Sequence, residues 1–494
     1  MTATIAGLLD DAAARKPDQR MLIDVDGGCL TVAEVARLSS AATRWLADAG
    51  VQPGMTVAWQ LPAHSAAALL MLALARMPVV QAPVLHLYRQ REVQAALDVA
   101  GADVLIVDAS TAANAPDDTS VITLPDDFVD VLRAMPAEPV LVEDPRPDDV
   151  RWIYFTSGTT GRPKGVRHTD STLLAAARGF TAHLGLGTHP QEVSTIAFPV
   201  AHIGGIVYLS CALLAGFPVL LIPKVEADEL LRLLAEYRVT VTGGSTAFYQ
   251  MLLSAQLASG QNEPLVPTLR MLIGGGAPCP PEVHRKVRAH MGIPIVHAYG
   301  MTEAPMICVS EAADTEEQQS NSSGRPIPGS EIRIAANGEI ELRGSNVTTG
   351  YVDPDQWSGS TTADGWFRTG DSGHLRPDGR IVITGRVKDL IIRKGENISP
   401  EEIENELLAH PLIDQVAVIG HPDEERGELV CAVVRRSPGR RDLTLGEVCA
   451  FLDERGLMKQ KWPERLVVVD EFPMTGLGKI AKRELVQQLT GGIR

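Results

Sequence analysis

A run of ten residues, Thr156-Ser157-Gly158-Thr159-Thr160-Gly161-Arg162-Pro163-Lys164-Gly165, gathers groups suited to holding an anion. Its three glycines let backbone N–H groups converge, its four hydroxyls add donors, and Lys164 adds a positive charge. A triphosphate needs a lining of that kind. The run follows directly on the strand-like Trp152–Phe155. It is not a Walker A loop, because no Gly-Lys-Ser/Thr occurs in it and Pro163 precedes the lysine. The plain alternative is a flexible surface turn.

Further short segments follow along the chain: Gly274-Gly275-Gly276-Ala277-Pro278, Tyr299-Gly300-Met301-Thr302-Glu303, Trp366-Phe367-Arg368-Thr369-Gly370-Asp371, Gly385-Arg386-Val387-Lys388-Asp389 and Pro473-Met474-Thr475-Gly476-Leu477-Gly478-Lys479. Each is weak alone. Taken with the first run, and in this order, they resemble the adenylate-forming superfamily of acyl-CoA synthetases, peptide-synthetase adenylation domains and luciferases. The resemblance covers nearly the whole chain and is greatest to the acid–CoA ligases. It implies an enzyme that uses ATP and Mg2+ to turn a small carboxylic acid into its acyl-adenylate, then passes the acyl group to coenzyme A. The alternative is transfer to an acyl carrier protein.

The resemblance also implies roles. Thr156, Ser157, Gly158, Thr159, Thr160 and Lys164 would cradle the phosphates, Thr302 would touch phosphate, and Glu303 would bind the metal. A hard cation wants oxygen ligands, which Glu303 can supply; its alternative is a surface salt bridge. Gly275, Gly276, Ala277, Pro278, Tyr299 and Gly300 would bracket adenine, and Asp371 and Arg386 would hold the ribose. By composition Lys479 is only an exposed lysine in a glycine-flanked turn. The resemblance makes it the catalytic bridge between carboxylate and phosphate oxygens, where cations must relieve the meeting of anions. Lys388 would be a hinge, after whose rotation Gly395 leaves room for a pantetheine arm.

For the carboxylate, related synthetases use a Pro-x-x-His segment, here Pro199-Val200-Ala201-His202. Ile203, Gly204, Phe248, Ala298, Gly300 and Met306 would join it, with Gly205 beside them, to make a pocket for a compact acid. His202 could equally be a structural histidine at a helix start. One departure concerns pocket shape: Gly243-Gly244-Ser245-Thr246-Ala247-Phe248 lacks the proline usual in the family.

The elements that must position these residues alternate. Strand-like Ile196–Pro199, Val219–Ile222, Val239–Thr242, Met271–Ile273 and Ile295–Tyr299 are separated by helical stretches. One such stretch, Glu226–Tyr237, puts Leu230, Leu231, Leu234 and Tyr237 on one face. Such alternation predicts a mainly parallel sheet with helices on both sides. A similar unit spans about Leu30–Val107, with a turn at Pro53-Gly54. After Pro326 short strands with glycine turns begin (Glu339–Gly344, Arg380–Ile383), and Ser399-Pro400-Glu401-Glu402 reads as a capped helix start. The expected fold is α/β. A large N-terminal domain, 1–386, holds doubly wound sheets and a small β-barrel-like part, and a small mobile α+β domain, 387–494, follows.

Composition narrows the function classes. The chain has 494 residues and a net charge of −16, which argues against a nucleic-acid binder. The uncharged stretch Ile203–Pro223 has the length of a membrane span. Gly204, Gly205, Gly216 and Pro218 break it into a short helix and a buried strand. No secretion-signal pattern opens the sequence, and the six cysteines show no metal-site spacing, so a cytoplasmic enzyme with reduced thiols is expected, possible as a homodimer. Cys279, beside the glycine turn, is the thiol expected to be accessible. Arg435, Arg436, Arg440 and Arg441 form a basic cluster that suits a CoA phosphate or simply a solvated loop.

Overall fold

The structure, a computed structural model, describes residues 3–136, 145–156, 163–277, 279–393, 396–423, 427–436, 442–474 and 480–490. Among these residues the strands form four sheets, of nine, seven, four and five strands.

The nine-stranded sheet is built on parallel strands in the order Ile295–Met301, Met271–Gly275, Val241–Thr242, Ser194–Ile196, Val219–Leu221 and Arg20–Asp24. Antiparallel strands flank it at both edges, Ala304–Val309 next to Ile295–Met301 and Cys29–Thr31 next to Arg20–Asp24. The seven-stranded sheet runs Gly350–Tyr351, Lys164–Thr169, Val150–Thr156, Val80–Pro83, Thr56–Gln60, Val104–Val107 and Val121–Thr123, the last five parallel. One apolar cluster runs from Trp59 and Trp152 of this sheet, through the buried helix Ser65–Arg76, to Val219, Met271 and Val296 of the other. Separate clusters around Leu220, Leu234 and Leu272 and around Ala58, Val93 and Leu105 cover the other faces, as apolar parallel strands require.

The expected strands are present with shifted ends. Ser194–Ile196 stops before Pro199, because Ala197 and Phe198 already belong to the turn that leads into the helix Ile203–Ala215. The helix expected at 226–237 spans Ala227–Glu236. It buries Leu230, Leu233 and Leu234, while Leu231 and Tyr237 pack at the margin of the cluster. The uncharged stretch splits as expected into Ile203–Ala215 and Val219–Leu221, and no helix among the described residues is long and apolar enough to cross a membrane.

The four-stranded sheet is antiparallel, in the order Ser330–Ile334, Glu339–Gly344, Phe367–Leu375, Ile381–Arg386. Ile381, on its last strand, also exchanges hydrogen bonds with Ser323 and Gly324. Five residues after Arg386 a new sheet begins with Ile391–Arg393, joined by Glu396–Ile398, Gly427–Arg436, Ile413–Asp423 and Arg465–Val469. It has its own apolar cluster, centred on Ile403, Val418 and Val430. The helix Pro400–Leu407 starts as the sequence predicts, with Ser399 accepting the Glu402 N–H. Glu402 does not close a capping box; its carboxylate pairs with Lys461 instead. The Ser399 hydroxyl also donates to the Thr384 carbonyl, which docks this helix on the strand Ile381–Arg386.

Candidate active site

Glycines bring the strand ends together. A side chain on Gly274 would put its Cβ 1.9 Å from the Gly244 carbonyl oxygen, and one on Gly275 would lie 2.0 Å from that of Ala298. Gly276, at φ +80°, faces open space and turns the chain. The first two glycines thus serve the close approach of backbones beneath the turn. Ala277 follows, and Pro278 lies outside the described residues.

Next to this turn, Tyr299 donates its hydroxyl to Asp371 Oδ2 at 2.6 Å. Asp371 stands in register with Arg386 on the neighbouring strand, and Arg386 Nε lies 2.7 Å from Asp371 Oδ1. The carboxylate is buried, whereas the guanidinium is 58% exposed. Burial, with the Asp371 charge beside it, holds the Tyr299 phenol well above its ordinary pKa, so it remains a donor. Arg368, three residues earlier, is directed toward Glu341 instead, and the partner of Asp371 comes from across the hairpin.

Thr302 and Glu303 form the tip of a tight hairpin, where Met301 pairs with Ala304. Three contacts fix the tip. His168 Nε2 donates to the Thr302 carbonyl at 2.8 Å, the Thr348 N–H donates to the Glu303 carbonyl at 2.7 Å, and the Tyr351 hydroxyl donates to Glu303 Oε1 at 2.9 Å. Burial pushes the His168 imidazole down to about 4, so it is neutral near pH 7. Thr156 and Lys164 pair where the strands Val150–Thr156 and Lys164–Thr169 meet the loop between them. Lys164 Nζ lies 4.6 Å from the centre of the Tyr351 ring. Ser157, Gly158, Thr159 and Thr160 lie outside the described residues, as do Gly395 and Lys479.

His202 caps the helix Ile203–Ala215: its Nδ1 accepts the Gly204 N–H at 3.1 Å, while its ring is exposed. Phe198 meets it edge-on at 6.4 Å. A Cβ on Gly204 would lie 3.3 Å from Phe198, and one on Gly205 2.0 Å from the Val200 carbonyl oxygen. Gly205 is therefore a packing glycine of the helix start. Ile203, Ala298 and Phe248 are buried. Gly300 lies against Met306, whose backbone takes the left-handed φ of +53°; a Cβ on Gly300 would sit 2.8 Å from the Met306 nitrogen. At the departure from the family pattern, a Cβ on Gly243 would lie 1.4 Å from the Ile273 carbonyl oxygen, which excludes every other residue there.

Lys388 is exposed in the turn that follows Arg386. In the basic cluster, Arg435 pairs with Asp414 and Arg436 with Asp442; Arg440 and Arg441 lie outside the described residues. Cys279 is half-buried, and burial pushes its thiol up to about 12, which agrees with the absence of any catalytic role expected for it. Sequence reasoning missed His168, Phe198 and Tyr351. His168 had one usable signal, since it lies four residues after Lys164 on the same strand and shares its side.

Comparison with known proteins fits this geometry. Residues 9–352 match the family model described as AMP-binding enzyme, and residues 402–479 match AMP-binding enzyme C-terminal domain. The chain belongs to the AMP-binding enzyme family. It is 29% identical to the medium-chain fatty-acid–CoA ligase of Escherichia coli, over 99% of this chain and 91% of that protein. It is 37% identical to the indoleacetate–CoA ligase of Aromatoleum aromaticum, over 68% of each. Among solved structures it is similar to ATP-bound MatB from Rhodopseudomonas palustris, with a TM-score of 0.90 at 29% identity and all of both chains covered.

Proposed function

We propose that this chain is an AMP-forming carboxylic acid–CoA ligase of the cytoplasm. The carboxylate oxygen of the acid attacks the α-phosphorus of ATP and pyrophosphate leaves. The CoA sulfur then attacks the acyl carbon, AMP leaves, and the thiol proton passes to solvent. The observation that carries this reading is the grouping of Tyr299, Asp371 and Arg386 beside the glycine turn, with Thr302 and Glu303 on the hairpin that extends the same strand. The CoA ligases among its relatives favour CoA over a carrier protein as acceptor.

In this reading Asp371 accepts from the ribose hydroxyls, Arg386 donates beside it, and Tyr299 presents a flat face to adenine. Lys164 and Thr302 contact phosphate, with the loop 156–160 around them. Mg2+ fits Glu303: Tyr351 occupies one carboxylate oxygen and leaves the other. No cluster of three His, Cys, Asp or Glu side chains able to hold a metal occurs among the described residues. A metal held by one carboxylate and substrate phosphates is the usual Mg2+ arrangement. When bound, it would neutralise charge on the phosphates.

Residues 1–386 would act as the nucleotide-binding domain and 387–494 as a mobile one, hinged at Lys388. Lys479 would enter for adenylation, and Gly395 would face the thiol afterwards. Phe198, Ile203, Gly204, Phe248, Ala298 and Met306 would bound a pocket for a compact acid, with His202 at its rim. Pyrophosphate release over a panel from acetate to palmitate, with benzoate and indoleacetate, with and without CoA, tests this. Absence of CoA-dependent AMP formation with every acid, or better efficiency with palmitate than with octanoate, would overturn it.

A further inference from the structure

Tyr351 stands between two side chains of opposite charge. It ends the short strand Gly350–Tyr351 and pairs with Val166, two residues after Lys164. The residue is 4% exposed. Its hydroxyl donates to Glu303 Oε1 at 2.9 Å, while Lys164 Nζ lies 4.6 Å from its ring centre. Trp357 meets the ring edge-on at 5.9 Å and stacks on Phe367 at 5.7 Å, so aromatic packing holds it in place. Among the described residues no carboxylate comes within 4.0 Å of Lys164 Nζ.

Left to themselves, a lysine and a glutamate at the mouth of an anion site would pair. Nucleotide and metal would then have to break that pair before binding. An aromatic ring prevents this, because its face attracts the ammonium and keeps it in place. A phenol does more, since its O–H takes one carboxylate oxygen and fixes the direction of the other. An ordinary phenol keeps its proton near neutral pH, so the O–H is available as this donor.

The geometry points to Tyr351 as a positioning residue for adenylation, one that holds Glu303 and Lys164 apart and directs them at the metal and the triphosphate. This inference rests on the roles proposed above for those two residues. The hairpin contacts support it: His168 and Thr348 fix the backbone at Thr302 and Glu303, which leaves the Glu303 side chain as the part still to be oriented. Tyr351 does that.

Two substitutions separate the functions of the ring and the hydroxyl. Tyr351→Phe keeps the ring beneath Lys164 and removes the bond to Glu303. Tyr351→Leu removes both. Pyrophosphate release by the full chain, with the fastest acid of the panel, would be measured against free Mg2+ and against Mg-ATP, alongside thermal unfolding. Tyr351→Phe should raise the Mg2+ needed for half-maximal rate about tenfold, as loss of a hydrogen bond to a charged group implies, with Tm nearly unchanged. Tyr351→Leu should in addition raise KM for Mg-ATP. The double variant Tyr351→Phe/Glu303→Gln should be no worse than Glu303→Gln alone, because both act on one carboxylate. A shifted Mg2+ requirement in Glu303→Gln with none in Tyr351→Phe would overturn the positioning role and leave the proposed function intact. No shift in either would instead remove Glu303 from the metal site, and the inference with it. The phenylalanine variant is isosteric, so the test stands even if the leucine variant fails to fold.

Discussion

Replacing Asp371 by asparagine gives the sharpest test of the nucleotide site. A carboxylate offers about four lone-pair positions. Arg386 Nε approaches Oδ1 and the Tyr299 hydroxyl donates to Oδ2, and in the proposed reading the ribose hydroxyls join them on this carboxylate. Asparagine keeps a single acceptor oxygen and has no charge, so at least one charge-assisted bond to ribose is lost. Such a bond contributes roughly 1.5–3 kcal/mol, which corresponds to an increase in KM for ATP of roughly 10- to 100-fold. Stability should fall only moderately, because the carboxylate is buried but asparagine still offers an oxygen to the Tyr299 hydroxyl and the Arg386 partner is 58% exposed. The assay is pyrophosphate release against ATP and against 2′,3′-dideoxy-ATP, for both proteins. With ATP the variant should be far weaker; with the dideoxy nucleotide the two proteins should be nearly equal. The same loss with both nucleotides would show that Asp371 acts on the fold around Tyr299 and not on the sugar.

Other outcomes follow from the same site. Lys388→Pro should freeze the hinge dihedrals, so acyl-adenylate still forms while thioester production collapses; normal CoA-dependent turnover would count against a hinge there. Lys479→Ala should lose about 10²–10³ in ATP-dependent adenylation, yet convert supplied acyl-adenylate and CoA at near wild-type rate. Equal loss in both assays would refute rotation. Burial, with Glu404 nearby, pushes the Glu401 carboxyl up to about 7 from 4.5. The folded chain then holds this proton more tightly than the unfolded one, so the associated stability is complete below pH 4.5 and fades as pH rises through 7. Glu401→Gln should therefore raise Tm at pH 8 and leave it unchanged near pH 4, and an equal change at both would contradict the assignment.

The parts of the site that a short segment carries by itself were readable in the sequence. The glycine turn and the Ser399 cap each depend on neighbours only a few positions away. Strand ends were less so, since Ala197 and Phe198 are as apolar as a strand and only the turn toward His202 ends it. What joins the segments was not readable. Tyr351 reaches Glu303 across 48 residues and His168 reaches Thr302 across 134, and no local pattern marks either pair. Nor does glycine content tell its own purpose. Gly205 looks like a candidate for a roomy pocket, yet it is held by the Val200 carbonyl oxygen of the neighbouring backbone.

The strand Ile381–Arg386 serves two neighbours at once. At Arg386 it grips Asp371, and at Thr384 it receives the Ser399 hydroxyl at the start of the helix Pro400–Leu407. Gly385 lies between them at φ +134°, with Ser399 Oγ 3.5 Å from where its Cβ would be. Two equilibria therefore share one short length of backbone. If Arg386 holds the nucleotide as proposed, whatever steadies it there would steady the seat of the helix, and by reciprocity whatever seats the helix would tighten the nucleotide by the same factor. A single hydrogen bond of the Ser399 type contributes about 0.5–1.5 kcal/mol, close to thermal energy. In the proposed hinge motion, a bond this small would let the bound ligand set which way this end of the molecule faces.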